Sequence, residues 1–171
     1  MNDYVFMESN FNNRHLRQIK VPDFGEDAQQ LLSQAKILVV GAGALGCPVL
    51  MYLASAGVGT IGILDSDEVE ETNIHRQTLY TESDIGKPKV AVAYERLKEM
   101  NSEINLLPYC VRLHRDNVLK IFSDFDVIVE CSDNFPTKFL VNDACVILGN
   151  PCIIGGVMRF YGQLSVYNFK G

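Results

Sequence analysis

Apolar positions along the chain fall into two patterns. Continuous, β-branched-rich runs at 36–40 and 60–64 predict strands covered on both faces. Between them, 45–56 is apolar nearly all round and predicts a buried helix. Pro48 is tolerated there because it sits in the first turn, and Gly57 marks the end. Further strands are predicted at 105–110, 126–130, 152–157 and 163–168. In the last of these, Leu164 and Val166 alternate with polar or small residues, as a half-exposed antiparallel strand would. Helices are predicted at 27–34, with Ala28, Leu31 and Leu32 on its inner face, and at 87–100, 116–122 and 135–148. Asp116 is the expected N-cap of the third of these, and Gly149 with Asn150 and Pro151 stops the last. Residues 14–19 have mixed helical character, and 1–12 lack a period and read as a loose arm. The stretch 66–86 is polar and irregular, and long loops of that kind tend to carry function.

Strands alternating with helices predict an α/β fold with a doubly wound, mostly parallel, Rossmann-like sheet and an antiparallel strand at its C-terminal end. With 171 residues the chain is read as one nucleotide-binding domain over 1–171, of which 1–34 form the N-terminal arm and helices. Apolar residues at 47% suffice for a packed core, and a net charge of −6 argues against nucleic acid as a partner. No charged residue occurs in 37–64, a stretch long enough to span a bilayer. Its glycines and Pro48 divide it into strand, loop, helix and strand, so no membrane partner is expected. The first residues are charged and lack the apolar core of a secretory signal, which predicts a cytoplasmic protein. The five cysteines (Cys47, Cys110, Cys131, Cys145, Cys152) show no C-x-x-C spacing. They read as small buried apolar side chains rather than a disulfide framework or a zinc site. The chain stops directly after its last predicted strand, which reads as a fragment.

Gly41-Ala-Gly43-Ala-Leu-Gly46 fits G-x-G-x-x-G and lies between a predicted strand and a predicted helix, the context this motif requires. Gly41 permits a tight turn, Gly43 lets backbone approach a phosphate, and Gly46 lets helix and strand pack closely. The helix N-terminus then offers free N–H groups to an anion. Asp65 ends the next strand at about the 20-residue distance at which such folds place a ribose-binding acid. These features alone leave NAD, FAD, S-adenosylmethionine and ATP open, and an NAD-dependent oxidoreductase is one reading.

The segment after Asp65 is less generic. Asn73, Arg76 and Gln77 follow it, and Gly86-Lys87-Pro88-Lys89 brings two lysines to a helix start. A redox dinucleotide has no need of these groups, whereas a nucleoside triphosphate needs cations and donors for its extra charges. Asp133-Asn134 follows the fourth strand. Ligands of open parallel sheets bind at strand C-termini, so Asp65 and Asp133 are expected in one crevice. A carboxylate among phosphates suits Mg²⁺.

The sequence resembles the ThiF/MoeB/HesA adenylyltransferases, which activate ubiquitin-like sulfur-carrier proteins in molybdopterin and thiamine biosynthesis. The pieces that carry the resemblance are Arg14-His-Leu-Arg17-Gln18, the glycine loop, Leu64-Asp65-Ser-Asp67 with Asn73 and Arg76-Gln77, Gly86-Lys-Pro-Lys89, and Cys131-Ser-Asp133-Asn134. The resemblance implies ATP-dependent adenylylation of a carrier's C-terminal glycine carboxylate with release of pyrophosphate. It implies that Asp65 binds the ribose and that Asn73, Arg76 and Lys89 hold the triphosphate, with Gln77 beside them. Asp133 would bind Mg²⁺, and Arg17 would serve the neighbouring subunit's site in a homodimer. Where relatives often carry an arginine after the Asp-Asn pair, this chain has Lys138, which lacks the planar fork. Relatives usually continue into a C-terminal part with two zinc-binding C-x-x-C pairs and, in some, an acceptor cysteine. A structural Zn²⁺ is expected only if the protein continues past Gly171. The resemblance leaves a non-catalytic nucleotide- or carrier-binding adaptor as the other reading. Asp67 reads as plain loop, and His75 as a surface histidine.

Overall fold

The computed structural model describes residues 13–169; the arm read at 1–12 lies outside the described residues. Six strands, β1 (Lys36–Val40), β2 (Thr60–Leu64), β3 (Asn105–Tyr109), β4 (Val127–Glu130), β5 (Cys152–Met158) and β6 (Tyr161–Tyr167), form a sheet of order β3-β2-β1-β4-β5-β6. Strands β1 to β5 pair in parallel, and β6 returns antiparallel to β5. The helices are α1 (Leu16–Ile19), α2 (Gly25–Gln34), α3 (Gly46–Ala56), α4 (Lys89–Met100), α5 (Val118–Phe122) and α6 (Phe135–Leu148). From β1 the chain winds outward to β3, then crosses back to β4 on the other side. The direction reverses between β1 and β4, where a crevice opens at the strands' C-terminal ends.

Side-chain alternation in β1 explains why it sits at the centre. Val39 packs with Leu50 and Ala54 of α3 and with Val90 and Ala93 of α4. Leu38 and Val40 pack on the other side with Phe122 of α5 and Val141 of α6. Both faces of the strand are therefore dry, as its continuous apolar run predicts. Two helix ends are fixed by local chemistry. Asn134 caps α6 by accepting the Thr137 N–H at 3.0 Å. Gly57 ends α3 in the left-handed region, at φ +84°, where only glycine is at ease.

Several expectations need correction. Helix α5 starts at Val118 and Asp116 does not cap it; its carboxylate lies 3.6 Å from Arg115 Nε instead. Helix α4 starts at Lys89 rather than residue 87, and β3 ends at Tyr109 rather than residue 110. In α2, Leu31 is 69% exposed and Gln29 is buried. The reason is tertiary: the Gln29 side chain donates to the Ala56 carbonyl at the end of α3 (3.1 Å), a helix-end acceptor that it shares with Gln18. Strand β6 is open on both faces, with Leu164 and Val166 exposed, rather than half-buried. Cys110 is exposed, while the other four cysteines are buried. All five are free thiols. No helix among the described residues is long and apolar enough to cross a membrane.

Candidate functional site

A cleft of about 590 Å³ occupies the switch point between β1 and β4. Its floor is the glycine loop after β1. The Gly41 N–H donates to the Leu64 carbonyl (2.7 Å), and the loop's turn brings Gly41 to φ +92°. A Cβ on Gly46 would stand 1.9 Å from the Gly41 carbonyl oxygen, so loop and helix can pack this closely only through glycine. Tyr80, buried beneath, donates its hydroxyl to the Ala42 carbonyl at 2.7 Å. Burial raises the Tyr80 pKa far above the ordinary phenol value, which keeps that proton in place.

Gly46→Ala is therefore expected to force loop and helix apart, at about 1–3 kcal/mol as for other overpacked sites. Thermal unfolding should register it in the free protein. Gly43→Ala is the contrast: its Cβ would meet nothing nearer than Gln77 Nε2 at 3.7 Å. That variant should melt like the wild type and lose only ligand affinity, as read by a nucleotide-binding titration.

The walls bring most of the expected residues together. Asp65, Arg76, Gln77, Lys89 and Asp133 all line this one cleft. Each Asp65 carboxylate oxygen accepts one backbone N–H, from Ala42 (2.7 Å) and from Asp67 (2.8 Å). This fixes the carboxylate beside the loop and leaves further lone pairs for hydroxyl donors. Arg76 is held by donating from Nη1 to the Thr72 carbonyl at 2.6 Å. Lys89 is buried, and its Nζ lies 3.0 Å from Asp67 Oδ2. Gln77 is buried, and its Oε1 finds no hydrogen-bond partner among the described residues. Asp133 is exposed at the rim and makes no hydrogen bond among the described residues; the neighbouring Asn134 supplies the helix cap.

Three of the expected residues stand apart from the cleft lining: Gly46, which packs behind the loop against Gly41, Asn73 and Arg17. Asn73 is buried in a 3-10 turn, where its side chain accepts the Glu70 N–H (3.1 Å) in a capping box; it shapes the loop that presents Arg76 and Gln77. Arg17 is exposed on α1, which docks on the far end of α3, where Gln18 donates to the Ala56 carbonyl (3.0 Å). Helix α3 has 11 residues. At 1.5 Å per residue that puts roughly 16 Å between the attachment of α1 and the glycine loop.

Sequence reasoning missed other members. Asp67, read as plain loop, is the ion-pair partner of Lys89, and its carbonyl also accepts the Lys89 N–H at 2.9 Å. Arg112 and Leu113, beyond β3, also line the cleft. Cys131 lines the cleft as well. Burial pushes its thiol up to about 12. It is therefore a protonated wall residue rather than a nucleophile.

A second ion-pair network supports the Lys89 side. Asp84, buried, accepts from Lys87 Nζ (2.9 Å) and from the Thr81 N–H (3.0 Å) and hydroxyl (2.8 Å). The Lys87 hydrogen bond, chiefly, holds its carboxyl well below the usual range despite burial. A depressed folded pKa means that this stabilisation is full above the ordinary carboxylate range and is lost as pH falls through and below it. Urea unfolding followed from about pH 5 to pH 2 should show Asp84→Asn losing less stability on acidification than the wild type.

The model of the ThiF family matches residues 15–171. The chain is 47% identical over 155 residues to "Sulfur carrier protein adenylyltransferase" of Thermus thermophilus, covering 91% of this chain and 57% of that protein. It is 44% identical to "Adenylyltransferase and sulfurtransferase MOCS3" of Danio rerio, covering 92% of this chain and 34% of that protein. The crystal structure of E. coli MccB with ATP superposes with a TM-score of 0.80 at 30% identity, covering 92% of this chain and 49% of MccB. The chain thus spans from about a third to just over half the length of these relatives.

Proposed function

The chain belongs to the ThiF family, and on that footing we propose that it forms the adenylation unit of an enzyme that transfers AMP from ATP to the C-terminal glycine carboxylate of a ubiquitin-like sulfur-carrier protein. The observation that carries this reading is the convergence of Arg76, Lys89 and Asp133 with the glycine loop in one cleft. A redox dinucleotide would use the loop and Asp65 but has no work for two cations and a free carboxylate beside them. The names of the similar proteins supply the substrate class.

In the proposed reaction, a carboxylate oxygen of the carrier bonds to the α-phosphorus of ATP, and the bond from that phosphorus to pyrophosphate breaks. A carboxylate is already anionic at neutral pH, so no general base is required. The barrier is the approach of one anion to another, with charge building on the leaving group. Catalysis is then positioning and charge stabilisation. The glycine loop and the N-terminus of α3 receive phosphate oxygens. Asp65 accepts from ribose hydroxyls. Arg76 and Lys89 take the charge of the departing pyrophosphate, with Gln77 beside them; the Thr72 carbonyl holds Arg76 and Asp67 holds Lys89. The oxygen donors at the rim, the free Asp133 carboxylate foremost, suit Mg²⁺, which takes one or two carboxylates together with phosphate oxygens. When bound, the ion would neutralise phosphate charge.

Arg17, remote from its own cleft, is assigned to a second copy's site in a homodimer, and the enzyme is assigned to the cytoplasm. We read 1–171 as one nucleotide-binding adenylation domain. The deciding experiment is carrier-dependent ATP–pyrophosphate exchange, with binding of MgATP and NAD measured alongside. Exchange that needs a carrier with a Gly-Gly end is the expected result. Preference for NAD would make the chain an oxidoreductase, and MgATP binding without exchange would make it an adaptor.

A further inference from the structure

Behind the rim of the cleft lies a buried ion pair that the reaction above leaves unused. Glu130, the last residue of β4, is fully buried. One carboxylate oxygen accepts the Ser132 N–H at 2.8 Å and the Ser132 hydroxyl. The other accepts Lys138 Nζ from α6, which also donates to the Gly155 carbonyl at 2.7 Å. Pairing of β4 with β5 ends at Glu130 opposite Ile154, so Gly155 is the first residue beyond it. The pair thus clamps β4, β5 and α6 together where the strands part and the cleft begins.

The segment between the clamp and the Asn134 cap carries Asp133. It also abuts the glycine loop: a Cβ on Gly41 would meet Ser132 N at 3.0 Å. Ser132, Asp133, Asn134 and Thr137 all line the cleft. Among the described residues Asp133 has no side-chain partner of its own, so backbone held on either side sets its position. Net stability is a weak reason for such a clamp, since a buried ion pair is often no better than an apolar pair of the same volume.

We propose that the Glu130–Lys138 pair is a positioning device for Asp133, holding the 132–134 turn where that carboxylate meets the divalent cation carried by nucleotide phosphates. This rests on the proposed function. Partners that orient a metal ligand typically change metal affinity by about 10–100-fold when removed.

The test is equilibrium binding of a fluorescent ATP analogue, first in EDTA and then titrated with Mg²⁺. In Lys138→Met, binding in EDTA should match the wild type, while the Mg²⁺ concentration for half-maximal effect should rise by about 10–100-fold. Lys138→Arg should restore it. An unchanged Mg²⁺ curve, an equal loss with and without Mg²⁺, or no rescue by arginine overturns the proposal. If Lys138→Met fails to fold because Glu130 is left charged and buried, the neutral pair Glu130→Gln with Lys138→Met is read by the same criteria. Failure of that variant to fold makes the pair structural and also overturns the proposal. A wild-type protein that binds no ATP overturns the function itself, whereas variants that match a binding-competent wild type overturn only the positioning role.

Discussion

Replacing Asp133 by alanine is expected to abolish ATP–pyrophosphate exchange while leaving the fold intact. The side chain is exposed and makes no hydrogen bond among the described residues, so its removal leaves none of their buried groups unsatisfied. Its neighbour makes the control. Asn134 caps α6 through the Thr137 N–H, and Asn134→Ala should cost about 1 kcal/mol of stability. Two adjacent substitutions thus separate two functions: one lowers the melting temperature, the other stops exchange. The loss for Asp133→Ala should reach at least the roughly 10²–10³-fold seen when a single preorganised charge-stabilising group is removed. Wild-type exchange in Asp133→Ala would end the assignment of this carboxylate to the phosphate-bound cation.

The two neighbours also mark what a sequence can disclose. Helix and stop at 135–149 are written in local residue types, and α6 matches its predicted span residue for residue, whereas its cap, Asn134, was not among the predicted features. The same holds for β1 and β2, where a dry strand must be apolar throughout. The meeting of Asp65 and Asp133 in one cleft was legible because parallel strands deliver their C-termini to the same edge. What stayed hidden depends on partners distant in the chain. Gln29 is buried because it serves a carbonyl on another helix, and no periodicity encodes that. Glu130 read as an ordinary strand end, yet it is the buried anion that Lys138 answers from the next helix. Arg112 follows β3 in a segment that carries no motif, and only the fold brings it to the cleft that Asp65 lines. Strand β6 shows the converse: alternation reveals two faces, but not whether anything covers either one.

Lys89→Met is expected to lower carrier-dependent exchange by about 10²–10³-fold, equivalent to roughly 2.7–4 kcal/mol of transition-state stabilisation. The burial of this lysine is what gives it leverage. Its side chain is 6% exposed, so little water screens its charge, whereas its partner Asp67 is 65% exposed. The asymmetry also protects the fold. Once the ammonium is gone, Asp67 remains hydrated rather than stranded, and methionine fills the space of the alkyl stem. The variant should therefore melt near the wild-type temperature. Because Lys89 is assigned to charge that grows as pyrophosphate departs, the loss should fall mainly on kcat, with a smaller change in the KM for ATP. Lys89→Arg should recover part of the rate, since it restores the charge in a bulkier and differently directed group. A loss confined to KM would instead make Lys89 a ground-state binder of the triphosphate and leave Arg76 as the cation that answers the leaving group.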